Sequence, residues 1–210
     1  MKTLTKKRIR RTRPAIVNGT VPRRATNTSR RPREYVTEAE VDRLIKAARD
    51  RSRRYSARDA IMILMCYRHG LRVSELCMLE WDQINLDDGT VQIVRVKKGK
   101  SGEHPLGGTE LRALRALRRE DGTARYVFMT ERKSPMTPAG FRKMIARLGA
   151  AAGFPFAIHP HMLRHGCGYK LANDRQDTRA IQDFLGHKNI MHTVRYTEMS
   201  PKRFKSFWRD

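Results

Sequence analysis

From Thr37 onward most of the chain places apolar residues three and four apart, and one segment places them at every second position. Val41, Leu44, Ile45 and Ala48 share one helical face, and the preceding Thr37-Glu38-Ala39-Glu40 has the form of a capping box. A second helix is expected from about Ser56. Its stretch AIMILMCY, residues 60–67, is apolar on every side, which marks a central buried helix that ends near Gly70. LRVSELCMLEW, residues 71–81, opens another helix. At Thr90 the period changes to two in TVQIVRV, and KKGKSG supplies turn chemistry ahead of EHPL. A small β-hairpin with lysines at its tip is therefore expected.

Leu111, Leu114 and Leu117 form an apolar row on a helix that begins near Thr109, and YVFMT, residues 126–130, reads as a third strand. Thr137-Pro138 provides a cap and a first-turn proline for a further helix, and the chain after His159 reads as helical. The fold class is thus mainly α with a small antiparallel β-sheet (α+β). Residues 1–33 lack such periodicity. They carry twelve Lys or Arg, no acidic residue, and Pro14, Gly19, Pro22 and Pro32, the composition of a disordered basic arm. The expected division is a 1–33 arm and a 34–210 folded domain.

Charge narrows the function more than fold class does. The 45 Lys and Arg against 21 Asp and Glu leave a net +24, shared equally between the arm and residues 34–210. That excess points to a polyanionic partner, nucleic acid ahead of a membrane surface. The longest strictly apolar run, Ala60–Tyr67, falls far short of the roughly 20 residues that span a bilayer. The basic N-terminus has no apolar segment of the kind that directs secretion, so a reducing, cytoplasmic setting is expected. Cys66, Cys77 and Cys167 have no CxxC spacing and read as buried small apolar residues.

Four stretches carry candidate chemistry. HGLRVSEL places Arg72 just beyond a helix-ending glycine, with Glu75 three residues on to orient it; the same pair also suits a surface ion pair. The hairpin tip offers Lys97, Lys98 and Lys100. HPHMLRHGCGY groups His159, His161, Arg164 and His165, and FLGHKNIMHTVRYT places His187 nine residues before Tyr196. Tyr196 could equally pack its ring on the core. A zinc site would need His159, His161 and His165, but it would set a cation beside Arg164 without an acidic ligand, so no metal is expected.

In this order the residues resemble the tyrosine recombinase (phage-integrase) family: an arginine box, a hairpin lysine, H-x-x-R, a histidine and a tyrosine. The resemblance covers roughly residues 35 to 200 and implies that family's catalytic-domain fold. It implies that Arg72 and Arg164 grip the non-bridging oxygens of a scissile phosphate, while His161 and His187 hydrogen-bond it or handle protons. Tyr196 would attack to form a 3′-phosphotyrosyl bond, and Lys97 or Lys98, with Lys100 ranked third, would protonate the departing 5′-oxygen. No cofactor, ATP or metal is implied. Two planar, permanently charged guanidiniums suit a phosphate and the extra charge of its transition state. A phenol with an ordinary pKa of about 10 needs electrostatic help before it attacks, and the surrounding cations are expected to give it.

Within that family, KKGKSGEHPL, HPHMLRHGCGYKLAND and DTRAIQDFLGHKNIMHTVRYT resemble the small recombinases that invert the fimbrial switch, a promoter-bearing DNA segment. This resemblance implies double-stranded DNA with inverted-repeat sites as substrate, a homotetramer on two sites, accessory DNA-bending proteins and a place on the nucleoid. The chain departs from most of the family in having a basic arm where a helical core-binding domain is usual; the arm would then track phosphates or the minor groove, or act as a non-specific electrostatic tether. Phe204, Phe207 and Trp208 form an aromatic tail suited to a neighbouring protomer or to its own core. Two other functions remain open at this stage: a DNA-binding regulator without turnover, and a type IB topoisomerase-like relaxing enzyme.

Overall fold

A computed structural model describes residues 33–51, 55–96, 99–120 and 123–198. The basic arm up to residue 32, Lys97, Lys98 and the aromatic tail lie outside the described residues. Helix α1 (Glu38–Arg51) begins where the capping box requires, and the Glu40 carboxylate accepts from the Thr37 backbone N–H at 2.8 Å. Helix α2 (Ser56–Arg68) is the central element. Its residues Ala60 to Tyr67 are buried apart from Leu64, and it packs against α1 and against the later helices at Val73–Cys77, Gly108–Glu120 and Pro160–Asn173. It stops at His69. Gly70 follows at φ 55°, a left-handed turn in which a side chain would also strike Leu185.

The helix expected over 71–81 is shorter than its pattern suggests. Helix α3 covers only Val73–Cys77, and a 3₁₀ turn follows at Trp81–Gln83. The sheet holds β1 (Ile84–Asn85), β2 (Thr90–Ile93) and β3 (Gly102–Pro105) in that order, all antiparallel. Val91 faces His104 across β2 and β3, and both side chains are buried with Ile93 on the core side. The hairpin is where the period-two pattern predicts it. The third strand is not: YVFMT forms only isolated bridges, Tyr126 with Glu80 and Met129 with Pro135. Its Val127 N–H donates instead to Leu79, and Phe128 is fully buried, so the run is a core-filling crossing segment rather than a ladder member.

Helices α4 (Gly108–Glu120), α5 (Pro138–Ala151), α6 (Pro160–Asn173), α7 (Thr178–Leu185) and α8 (Met191–Glu198) complete the chain. Thr137 caps α5, its hydroxyl accepting from Gly140 N–H at 3.0 Å, with Pro138 in the first turn. Asp177 caps α7, and Gly186, at φ 63°, ends it. The buried apolar residues fall into two clusters. The larger surrounds α2; the smaller joins Cys167, Tyr169 and Ala172 of α6 to Ile181 and Leu185 of α7 and Tyr196 of α8. All three cysteines are buried free thiols. Among the described residues no helix is long and apolar enough to cross a membrane.

Candidate active site

The turn after α2 is the hub of the site. Arg72 stands in extended backbone at the N-cap of α3, and it remains partly open to solvent. Glu75, one turn on, accepts from the Arg72 backbone N–H at 2.8 Å and from its Nη1 at 2.6 Å. The glutamate is therefore both a cap and an orienting partner. Burial alone would raise the Glu75 pKa, but these bonds from Arg72 and the charge of Arg95 hold it below the ordinary carboxylate value.

Arg164, on α6, is only 2% exposed. Its Nη1 donates to the Gly70 carbonyl and its Nη2 to the Leu185 carbonyl at 2.7 Å. Helix-end carbonyls that lack intrahelical partners thus hold a guanidinium in place. Burial, followed by the nearby charges of Arg72 and Arg95, lowers its pKa to about 10, so it stays cationic at neutral pH. Arg72 and Arg164, ninety-two positions apart in sequence, feel each other's charge.

Tyr196 is also 2% exposed. Its hydroxyl is 2.8 Å from Nδ1 of His165, and its ring lies against Tyr169, His165 and His187, the last at 6.2 Å in a stacked arrangement. Gly168 makes the seat possible, since a Cβ there would lie 2.6 Å from Cε2 of the tyrosine ring. His187 follows Gly186 at the end of α7 and pairs its Nδ1 with Thr193 Oγ1 at 2.9 Å. His161 occupies the first turn of α6 with its ring edge-on to His165 at 4.4 Å.

The histidines sit among cations in a poorly hydrated site. Burial first, and then Arg164 and Arg72, press His187 to about 3. Burial and neighbouring His161 press His165 to about 3 as well. His161 has an exposed edge, yet the walls around it displace enough water, with Arg164 adding to the effect, to bring it to about 4. All three are neutral at pH 7. The phenol responds differently from the expectation: burial raises the Tyr196 pKa to about 12, outweighing the lowering by Arg164 and Arg195. In this arrangement the tyrosine is protonated, and its hydroxyl addresses an imidazole.

Five of the candidate positions, Arg72, His161, Arg164, His187 and Tyr196, thus come together from α3, α6, the end of α7 and α8. Lys97 and Lys98 cannot be placed among them, because they lie outside the described residues. Lys100 is exposed and pairs with Asp183 at 2.9 Å. Among the described residues no three His, Cys, Asp or Glu side chains are set to hold a metal ion. Two residues at the site carry more than their sequence signal suggested. His165 is the direct partner of the tyrosine hydroxyl, and Arg95 is a buried cation behind Glu75. His165 lies next to Arg164 in the H-x-x-R stretch, a proximity that could have marked it; nothing in the pattern marks Arg95.

Comparison with known proteins identifies the family. The phage integrase family profile matches residues 34–203. The type 1 fimbriae regulatory protein FimB of Escherichia coli K12 is 40% identical over 181 residues, 84% of this chain and 90% of FimB. FimE of the same strain is 41% identical over 182 residues, 84% of this chain and 91% of FimE. Among solved structures, that of XerA recombinase superposes with a TM-score of 0.70 at 26% identity, covering 80% of this chain and 61% of XerA. The chain belongs to the phage integrase family, the tyrosine-type site-specific DNA recombinases.

Proposed function

We propose that this protein cuts and rejoins double-stranded DNA through a 3′-phosphotyrosyl intermediate and inverts a promoter-bearing segment of the fimbrial-switch type. The observation that carries the reading is the convergence of two guanidiniums, two histidines and a tyrosine, drawn from four separate elements, on one site where Arg72 is partly open to solvent. Arg72 and Arg164 bind the two non-bridging oxygens and stabilise the charge that grows there as the phosphorus becomes pentavalent. His161 and His187, neutral before DNA arrives, donate hydrogen bonds to the same oxygens. The Tyr196 oxygen forms the new bond to phosphorus while the bond to the 5′-oxygen breaks. The phenolic proton passes to a neutral imidazole, and an ammonium of the hairpin tip, Lys97 or Lys98, returns one to the 5′-oxygen. Rejoining reverses these transfers.

Residues 34–210 act as the catalytic domain in this reading, and the basic 1–33 arm follows the phosphate backbone. Recombination joins two inverted-repeat sites, each occupied by two protomers, on the nucleoid and with DNA-bending proteins assisting. The kinship with FimB and FimE supports inversion as the outcome.

The test uses a library of randomised duplexes nicked just beyond the cleavage position, so that the short fragment released by attack diffuses away. The unmodified protein is expected to trap a covalent DNA adduct that survives denaturing electrophoresis, and Tyr196→Phe to trap none. An unmodified protein without adduct, or an equal adduct with Tyr196→Phe, overturns the reading. Sequencing the trapped duplexes identifies a cleavable site for the experiments below.

A further inference from the structure

Behind the site, at the foot of the hairpin, lies a cation that the chemistry above does not use. The Arg95 side chain is 1% exposed, whereas most other arginines among the described residues face solvent. Its Nη1 donates to Glu75 Oε2 at 2.8 Å and to the Gly70 carbonyl at 3.4 Å. Its Nη2 donates to the Phe184 carbonyl at 2.6 Å and the His69 carbonyl at 3.2 Å. One guanidinium thus spans the end of α2, the first turn of α3 and the end of α7. Only the planar fork of arginine offers donors in enough directions to do so.

The same residue closes the base of the hairpin tip. Its backbone N–H donates to Ser101 Oγ at 3.1 Å, and the next N–H, of Val96, donates to Glu75 Oε1 at 3.3 Å. Gly99 lies directly on the Arg95 side chain: a Cβ at Gly99 would be 2.9 Å from Arg95 Cβ and 3.0 Å from the Gly186 carbonyl. Gly186 in turn sits under the Lys100 carbonyl and the Arg95 stem, one residue before His187. Both stems of the tip, Arg95–Val96 and Gly99–Ser101, are thereby seated against the elements that hold Arg72, Arg164 and His187.

We infer that Arg95 is a positioning residue for strand cleavage, seating the hairpin tip so that its lysine delivers a proton to the departing 5′-oxygen. The inference rests on the recombinase reading above. Arg95 touches no substrate; it fixes where the tip begins and ends relative to the phosphate grip. A general acid contributes a factor of roughly 10²–10⁴ only while it stays within hydrogen-bond reach of the leaving atom, so a displaced tip is costly to that step alone.

The experiment compares cleavage of the trapped duplex in two forms, with oxygen or with sulfur as the 5′-bridging atom. A thiolate, whose conjugate acid has a pKa of about 8.5, departs without the proton an alkoxide needs, so the sulfur form bypasses the acid. Arg95→Met is expected to raise the ratio of sulfur to oxygen cleavage rates by about tenfold or more over the unmodified protein, with most of the loss on the oxygen form. Gly99→Ala, which wedges the tip off the arginine and leaves its four acceptors in place, is expected to shift the ratio in the same direction. If Arg95→Met melts as cooperatively as the unmodified protein, its ratio decides the inference; if it does not fold, the Gly99→Ala ratio decides. An unchanged ratio in the deciding variant overturns the inference, because a general loss of structure slows both forms alike. Absence of cleavage by the unmodified protein on both forms would instead defeat the recombinase reading.

Discussion

Arg164 and Tyr196 are equally buried, but they are held in different ways. The arginine is fixed by carbonyl oxygens of Gly70 and Leu185, main-chain atoms at the ends of two helices, so it cannot shift unless the fold shifts. The tyrosine rides on an eight-residue helix at the end of the described chain, inside the smaller apolar cluster, and its hydroxyl is held by one side-chain partner, His165. Releasing it means breaking one hydrogen bond and a set of ring contacts. The contrast assigns rigidity to the group that must match a phosphate and a lighter hold to the group that must change its bonding. A nucleophile kept protonated and turned toward an imidazole also does not attack passing phosphates at random.

The strongest way to break this comparison is to remove the rigid half. Arg164→Ala deletes the buried fork, takes a donor from the Leu185 carbonyl, leaves the Gly70 carbonyl with only the long bond from Arg95, and is expected to slow adduct formation on the trapped duplex by about 10²–10³ or more, as loss of a preorganised charge-stabilising donor does. A comparable loss for His165→Phe would erase the distinction between the two halves.

Acid titration has the next largest effect. His104, His165 and His187 each have a folded pKa pressed to about 3, chiefly by burial, so between pH 6.5 and about 3 the unfolded chain binds protons that the folded chain does not. Stability therefore falls as pH drops through that window, by up to ~1.4 kcal/mol per pH unit for each such histidine, less for the half-exposed His187. Chemical denaturation at a series of pH values measures the slope, and His165→Asn should flatten it. A flat profile would mean that the histidines are already hydrated in the folded state.

Gly168→Ala is the smallest and most local test. Its Cβ would invade the tyrosine ring, so overpacking is expected to cost about 1–3 kcal/mol in thermal or denaturant unfolding while leaving phosphate-grip geometry intact. DNA affinity should hardly change. A variant as stable as the original would show that the ring leaves its seat freely.

The parts of this structure that depend on local pattern were legible in the sequence. Glu40 and Thr137 do the capping their positions announce, and the all-apolar run of α2 is the centre of the core. The box order assembled the five described site residues from resemblance, because such spacing reflects chemistry that the fold must bring together. YVFMT misled because β-branched and aromatic residues suit any buried extended segment, whether or not a ladder partner stands beside it. Ile84–Asn85 was missed because two residues carry no period. Arg95 was invisible for another reason: in a chain with 45 Lys and Arg, a buried cation looks like every surface one until its acceptors, scattered from residue 69 to residue 184, are seen around it.

The Gly70 carbonyl accepts from both Arg95 and Arg164. Insertion of a single amino acid between Arg68 and Val73 would move that oxygen by up to about 3.8 Å, beyond the reach of both donors at once. The connection therefore tolerates no change of length, whereas the solvent-facing turn at residues 131–134 has room to grow or shrink. Indels, rather than substitutions, should separate the inherited part of this enzyme from the part open to innovation.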